Sequence, residues 1–316
     1  MSTLPLIELA DLYSDNLQRR RAIASKLRAA CLKHGFFYAT ATPIGTAEMA
    51  DALDAARQFF ALPEPVKLAI SKEGSRAGRG YERFSAQRLE AGAQADLKEG
   101  FVIGPDIPDH DPRVVAGWPL HGMNQWPDGL PVSWRSLFEG YYAKLDELAG
   151  RIMRGLALSL DVDEYHFDGC CRDATASLRL LHYPPQPANA GADARGAGAH
   201  TDWGAITILL QDDVGGLQVH DGGDNWIDAP PIPGSFIINL GDLVPRWTND
   251  LYRSTMHRVI NKSGRERYSM AFFFDGRGDY VSECIPTCLA PGEVPKFEPL
   301  SVNEHLAEMF RRTKAA

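Results

Sequence analysis

The sequence predicts a mainly β protein whose strands form a barrel or sandwich, supported by helices that flank it. From Ala176 onward the apolar residues recur with a period of two, and turns rich in Gly, Pro, Asn and Asp separate these runs. Before Ala176 the apolar residues recur mainly at helical spacing. The content of 44% hydrophobic and 23% charged residues is typical of a globular protein with a sizeable core.

The N-terminal part predicts an opening strand followed by two helices. Ser14 or Asp15 can cap a helix that runs to about Lys33. A second helical pattern follows Thr46 and is stopped by the prolines that begin at Pro63. Together they predict a helical support on one side of the strands.

The longest helical pattern starts at Ser133 and continues beyond Leu156. At about 1.5 Å per residue such a helix would be roughly 40 Å long, long enough to brace one face of the β structure. A last amphipathic helix is predicted near the C-terminus, where Ser301 and Glu304 have the spacing of a capping box.

We divide the chain into four segments that we expect to form one compact unit. These are an N-terminal helix and strand region (1–117), a connector with the long helix (118–175), the β core (176–280) and a C-terminal loop and helix (281–316).

Charge and composition limit the classes of partner. A formal net charge of −8 argues against nucleic acid or an anionic membrane surface as a partner. No apolar run has the length of a bilayer span, and the N-terminus lacks a signal-peptide pattern. The five cysteines are scattered and form no disulfide framework. We therefore expect a cytoplasmic enzyme with reduced thiols that is a monomer or a weak homo-oligomer and acts on a small molecule.

Three residues have the chemistry of a metal site. His200 and Asp202 are two apart in a segment whose pattern indicates a strand, so both side chains should point to one face. His257, on a later strand-like segment, would complete a two-histidine, one-carboxylate triad, which binds non-haem Fe(II) and leaves one face of the ion open. The alternative is that His257 is a core histidine with its hydrogen bonds satisfied.

A second His-x-Asp triplet, His166-Phe167-Asp168, shows that the motif alone is weak evidence. It follows the long helical pattern and has no alternating apolar neighbours, so we assign it no metal.

Ten residues after His257, Arg267 and Ser269 lie two apart on another predicted strand. They have the opposite parity to the apolar residues Tyr268, Met270, Phe272 and Phe274. They should therefore share a pocket on the other face of this strand, unless Arg267 is a structural ion-pair partner of Asp242.

Residues from about Ser177 to Asp275 resemble the double-stranded β-helix of the Fe(II)/2-oxoglutarate-dependent dioxygenases, in the branch typified by isopenicillin N synthase. The N-terminal segments Leu4–Leu9 and His34–Tyr38 resemble the opening strands of that family, so the similarity covers nearly the full chain. The matching core motifs are Leu178–Pro185, His200–Asp202, Leu209–Asp212, Gly215–Val219, Pro233–Phe236, Asn239–Asp242, His257–Val259 and Arg267–Ser269.

The resemblance implies a double-stranded β-helix (jelly-roll) core in which the triad binds Fe(II). It further implies that Arg267 and Ser269 bind the distal carboxylate of the cosubstrate 2-oxoglutarate, with Tyr183 beside it. O2 would take the last coordination site, and ascorbate is a candidate reductant. The implied reaction is oxidation of a small molecule by hydroxylation, desaturation or cyclisation, with release of succinate and CO2.

Substrate contacts are implied less directly. In the family the region around residues 71–117 packs over the iron pocket, which makes Tyr81 and Arg83 candidates, together with Trp203 and Phe274. An arginine in that region could pair with a substrate carboxylate. The chain departs from the family pattern at Leu181, where an Asn commonly stands, and at Leu243-Val244, where Leu-Gln is common.

Three alternative functions stay open from the sequence. An oxidase of the same fold would use no 2-oxoglutarate, as isopenicillin N synthase does, and an ethylene-forming type would fragment 2-oxoglutarate itself. A non-catalytic metal-binding or ligand-binding barrel would have no need of a redox-active open coordination face.

Overall fold

Two facing β-sheets form the body of the protein, as a computed structural model describes it for residues 3–89, 95–186 and 195–315. The strands are β1 (Leu6–Glu8), β2 (Phe36–Thr40), β3 (Gly80–Glu82), β4 (Glu99–Ile103), β5 (Thr175–Tyr183), β6 (Ala197–His200), β7 (Ile206–Gln211), β8 (Leu217–His220), β9 (Trp226–Asp228), β10 (Phe236–Leu240), β11 (His257–Val259), β12 (Arg267–Gly276), β13 (Val281–Ser282) and β14 (Leu300–Ser301).

The larger sheet has the order β1-β2-β10-β7-β12-β5-β4-β3, and the smaller sheet has the order β6-β11-β8-β9. Strands β5, β12, β7 and β10 are antiparallel neighbours, and the chain passes back and forth between them and the smaller sheet. Leu217, Val219 and Val259 of the smaller sheet pack with Tyr183 and Ile237 of the larger one. The predicted double-stranded β-helix is confirmed.

Helices flank the two sheets. They are α1 (Leu17–Lys33), α2 (Thr46–Phe60), α3 (Glu64–Leu68), α4 (Pro112–Val115), α5 (Val132–Ser159), α6 (Asp168–Cys171), α7 (Leu243–Trp247) and α8 (Val302–Ala315). The long helix α5 packs on β7 and β12 and contacts α1 and α2, the second of which also packs on β5 and β12. This is the predicted bracing helix. Within the described part of the chain, no helix has both the length and the apolar character needed to cross a bilayer.

The helix ends follow local hydrogen bonding. The Asn16 side chain accepts from the backbone N–H of Gln18 at 2.8 Å, so Asn16 caps α1, not the predicted Ser14 or Asp15. At α8 the predicted capping box is present. The Ser301 hydroxyl accepts from the Glu304 N–H at 3.2 Å, and the Glu304 carboxylate accepts from the Ser301 N–H at 2.7 Å.

Strand β12 separates the hydrophobic core from the space between the sheets. Tyr268, Met270, Phe272 and Phe274 join the main core under the helices. Residues of the other parity face the smaller sheet, because successive side chains of a strand point to opposite faces. The site described next lies in that space.

Candidate active site

The predicted triad comes together at the end of two neighbouring strands. His200 is the last residue of β6, and His257 is the first residue of β11, directly opposite it in the antiparallel pair. Asp202 lies in the turn that follows β6. The prediction that His200 and Asp202 share one continuous strand is therefore wrong, because the chain turns between residues 201 and 205.

Long-range contacts set this turn. The Asp202 carbonyl accepts from the N–H of Asp242 at 2.8 Å, and the Gly204 carbonyl accepts from Leu243 at 3.2 Å. A Cβ at Gly204 would collide with the Asp275 carboxylate, so the tight approach requires glycine there. The turn places the Asp202 carboxylate against both imidazoles.

The three side chains present one ligand atom each to a common point. Nε2 of His200 lies 3.8 Å from Oδ1 of Asp202, and Nε2 of His257 lies 3.7 Å from the same oxygen. The ligand atoms all lie within 4.8 Å of one another, and no other such cluster occurs in residues 3–89, 95–186 and 195–315. The triad is positioned for iron binding.

Hydrogen bonds to the far side of each side chain orient the ligand atoms. Nδ1 of His200 lies 2.7 Å from the Gly198 carbonyl, and Nδ1 of His257 lies 3.1 Å from the Thr255 carbonyl. A carbonyl oxygen only accepts, so each Nδ1 carries the proton and each Nε2 offers a lone pair.

The carboxylate of Asp202 is held in the same way. Its Oδ2 accepts from the Thr207 hydroxyl at 2.6 Å and from the Asn239 amide at 2.7 Å, which leaves Oδ1 for the metal. Burial and the nearby His257 lower the pKa of His200 well below its ordinary value. Burial alone would raise the pKa of Asp202, but His257 and His200 hold it below its ordinary value. A neutral His200 and an ionised Asp202 are the forms that bind a divalent metal.

Arg267 is a fully buried cation in the same space. Its Nε donates to the Gly215 carbonyl at 2.6 Å, and its Nη1 donates to the Ser269 hydroxyl at 3.1 Å, as expected for two residues on one strand face. Its Cζ lies 4.7 Å from the centre of the Tyr183 ring, on the neighbouring strand. Among the described residues no carboxylate lies within 4 Å of this guanidinium, so the alternative ion pair with Asp242 is not made.

Two cavities meet at the triad and share Leu89, Arg179, His200, Asp202 and Phe273. The inner cavity, of about 60 Å³, also contains His257, Arg267, Ser269 and Tyr183 in its wall. The outer cavity has a volume of about 230 Å³, and Arg267 does not line it. Its lining residues are Lys72, Gly78, Gln87, Leu89, Val102, Leu120, Ser177, Arg179, His200, Thr201, Asp202, Trp203, Phe273, Asp275, Leu306 and Phe310.

Of the four substrate candidates from the sequence, the structure places only Trp203 in the wall of a described cavity. The prediction that Phe274 contacts the substrate is wrong, because its side chain points to the other face of β12 and is buried in the main core. The neighbouring Phe273 lines both cavities instead. Tyr81 is buried under the helices and donates to Glu99 at 2.6 Å. Arg83 is exposed and pairs with Glu73 at 3.6 Å.

The structure adds wall residues that the sequence analysis missed. Asp275 has the parity of Arg267 and Ser269, a signal that could have identified it. Lys72 and Arg179 gave no such signal. The short helical turn Lys72–Gly74 packs on β3, and the pairing of β3, β4 and β5 brings the two side chains together. The second triplet has no metal role: Asp168 accepts two hydrogen bonds from Arg154.

The chain matches two family models. The model of the 2OG-Fe(II) oxygenase superfamily matches residues 174–276, and the model for the non-haem dioxygenase in morphine synthesis N-terminal region matches residues 4–129. The first contains the three triad residues as well as Arg267, Ser269 and Tyr183.

Individual relatives agree over nearly the whole chain. The 2-oxoglutarate-Fe(II) type oxidoreductase hxnY of Emericella nidulans is 41% identical over 313 residues, which cover 98% of this chain and 90% of the relative. The 2-oxoglutarate-dependent dioxygenase citB of Monascus ruber is 39% identical over 318 residues, with 98% and 95% covered.

Solved structures of this family also match the chain over nearly its full length. A full-length Neurospora crassa protein, crystallised in complex with alpha-KG, superposes with a TM-score of 0.88 at 28% identity, covering 98% of this chain and 96% of that one. The same protein with alpha-KG and thymine gives a TM-score of 0.87 at 27% identity, covering 98% and 97%. The resemblance to the isopenicillin N synthase-like branch is consistent with these matches.

Proposed function

We propose that this chain, which belongs to the 2OG-Fe(II) oxygenase superfamily, binds Fe(II) through His200, Asp202 and His257 and oxidises a small molecule in the outer cavity. It is an Fe(II)- and 2-oxoglutarate-dependent oxygenase, as the family and its relatives show. The donor set fits the ion, because imidazole and carboxylate together suit Fe(II) and leave coordination sites for other ligands.

The observation that carries the assignment of the cosubstrate pocket is the buried charge of Arg267, which no carboxylate among the described residues neutralises. A buried guanidinium without an anion is costly, whereas a carboxylate ligand would form a bidentate, charge-assisted pair with it. Ser269 and Tyr183 lie beside it and are placed to add hydrogen bonds. We therefore assign the distal carboxylate of 2-oxoglutarate to this end of the inner cavity.

When bound, the iron and 2-oxoglutarate supply the oxidising chemistry: one atom of O2 enters succinate and CO2 is lost, and in hydroxylation the other oxygen atom enters the product. For hydroxylation the balance is R–H + 2-oxoglutarate + O2 giving R–OH + succinate + CO2. The residues of the chain orient the reactants and exclude water. Trp203, Phe273 and Phe310 supply apolar surface beside the triad for the part of the substrate that reacts.

The substrate is proposed to be small and free in solution. The outer cavity of about 230 Å³ and the thymine complex of the Neurospora crassa relative support this size. The net charge of −8 and the five free cysteines support an enzyme that acts in the cytoplasm, away from nucleic acid and membranes. We propose a monomer or weak homo-oligomer, which sedimentation would test.

Anaerobic crystals grown with Fe(II) and 2-oxoglutarate test these roles directly. We expect electron density for iron between the three triad atoms and for the distal carboxylate against Arg267. Iron at the triad with 2-oxoglutarate elsewhere would contradict the pocket assignment, and iron elsewhere would contradict the triad assignment.

A further inference from the structure

The outer cavity has a cationic end that the iron and the cosubstrate do not require. Lys72 and Arg179 both donate to the Glu82 carboxylate. Two cations share one anion, so this Lys72–Glu82–Arg179 cluster keeps one net positive charge. Both cationic side chains line the outer cavity, and Arg179 also lines the inner cavity. Nε of Arg179 is buried with no hydrogen-bond partner among the described residues.

The cavity also has an acceptor end. The Asp275 side chain lines the outer cavity, is only 5% exposed, and receives no hydrogen bond from another described residue. A buried acceptor without a donor is costly, so a ligand that donates to it would be stabilised.

The two ends lie on neighbouring strands at a defined spacing. Arg179 of β5 stands opposite Ala271 of β12, and Asp275 lies four residues farther along β12. At about 3.3 Å per residue the two backbone positions are roughly 13 Å apart, and the long Arg179 side chain shortens that gap. Phe273 lies between them, and its side chain lines the cavity.

We propose, on the premise of the proposed function, that the substrate carries a carboxylate at one end and an N–H or O–H donor at the other. The carboxylate binds Arg179 and Lys72, the donor binds Asp275, and the connecting apolar part lies across Phe273. A guanidinium and an ammonium side by side match a carboxylate in charge and in hydrogen-bond donors. A buried acceptor discriminates strongly against analogues that lack the donor.

A fragment set matched in size and sorted into four classes tests the proposal on the anaerobic Fe(II)–2-oxoglutarate-loaded protein. The classes carry both groups, the carboxylate only, the donor only, or neither, as in 4-aminobenzoate, benzoate, methyl 4-aminobenzoate and methyl benzoate. We expect the first class to bind at least tenfold more tightly than the others, measured by thermal shift and calorimetry. An equal distribution of binders, or no binders in the first class, would overturn the proposal.

Two pairs of variants locate the contacts. Lys72→Met should weaken binding of carboxylate fragments at least fivefold, whereas Arg83→Met, which removes an exposed cation outside both cavities, should not. Asp275→Leu should abolish the preference for a donor, whereas Asp146→Leu, which removes a carboxylate outside both cavities, should not.

If Lys72→Met or Asp275→Leu fails to fold, Lys72→Gln or Asp275→Asn replaces it, with a smaller effect in the same direction. Unchanged binding in Lys72→Met and Asp275→Leu would overturn the proposal.

The same experiment separates this inference from the proposed function. Binding of 2-oxoglutarate to the Fe(II) protein is measured first, without fragments, from the charge-transfer absorption of the chelate. If 2-oxoglutarate does not bind, the proposed function fails; if it binds and the fragment classes do not differ, only the substrate class is wrong.

Discussion

The hydroxyl of Thr207 donates a 2.6 Å hydrogen bond to Oδ2 of Asp202, the carboxylate oxygen that faces away from the two imidazoles. Thr207 is on β7, in the interior of the larger sheet, so this bond fixes the carboxylate of the turn to that sheet. The ligand geometry therefore depends on a residue that itself contacts no metal.

Replacement of Thr207 by Val should weaken Fe(II) binding about 10-fold to 100-fold with little change in fold, because it removes the hydrogen bond and keeps the shape. Anaerobic competition with a chelator measures the affinity. Thr287→Val is the matched control, since the Thr287 hydroxyl donates to the Leu160 carbonyl far from the site. Equal affinities of Thr207→Val and the wild type would show that this bond does not position the ligand.

Neighbouring phenylalanines on β12 should behave differently when each is replaced by Ala. Phe274→Ala should lower the free energy of unfolding by about 3–5 kcal/mol, because it leaves a cavity in the main core. Phe273→Ala should cost less than half as much and should instead change which substrates are oxidised. Urea unfolding and substrate profiles measure the two effects, and the reverse assignment would contradict the cavity description.

Acidification should destabilise the protein because it protonates Glu99. Burial alone would raise the pKa of Glu99, but hydrogen bonds from His182, Lys67 and Tyr81 lower it from 4.5 to about 2. Because the folded-state pKa is the lower one, this stabilisation is present above pH 4.5 and is lost as the pH falls toward 2. It is on the order of 2–3 kcal/mol.

Glu99→Gln should therefore be less stable than the wild type at neutral pH, and the difference should shrink as the pH approaches the folded-state pKa of about 2. Urea unfolding across this range measures it. Glu147→Gln, which changes an exposed carboxylate on α5, is the control and should show a difference that varies little with pH. A pH-independent loss in Glu99→Gln would mean that packing, not ionisation, accounts for it.

Removal of the apolar contact between α8 and the outer cavity should impair substrate binding alone. The Phe310 and Trp203 rings lie 5.1 Å apart, centre to centre, and both line the cavity. Phe310→Ala should raise the substrate concentration needed for half-maximal rate several-fold, since an aromatic pair contributes about 0.5–1.5 kcal/mol beyond its buried area. The affinity for 2-oxoglutarate should not change, and a parallel loss of both would place Phe310 in the cosubstrate pocket.

The sequence was sufficient to predict which residues of a single strand share a face. Arg267 and Ser269 share a face because they are two apart, and the same rule places Phe273 and Asp275 on that face and Phe274 in the core. The choice of Phe274 as a substrate contact contradicted this parity. The long helix and the Ser301–Glu304 capping box were predictable because they depend on spacing alone.

The features that the sequence could not predict depend on contacts between distant segments. The turn at Asp202 is held by the N–H of Asp242, from a distant part of the chain, and not by a local turn signal. The shared Glu82 of the Lys72–Glu82–Arg179 cluster requires the register of β3, β4 and β5, which no motif encodes. Tyr81 and Arg83 were chosen from their region alone, and that did not indicate which way their side chains point.

The most direct test of the cosubstrate pocket is the affinity for 2-oxoglutarate of Arg267→Leu, measured anaerobically in the presence of Fe(II). We predict a loss of at least about 100-fold, or about 2.7 kcal/mol, because a buried charge-assisted pair is removed. Arg265→Leu, which removes an exposed cation paired with Asp213, should bind as the wild type does. Wild-type affinity in Arg267→Leu would contradict the assignment of this pocket to the cosubstrate.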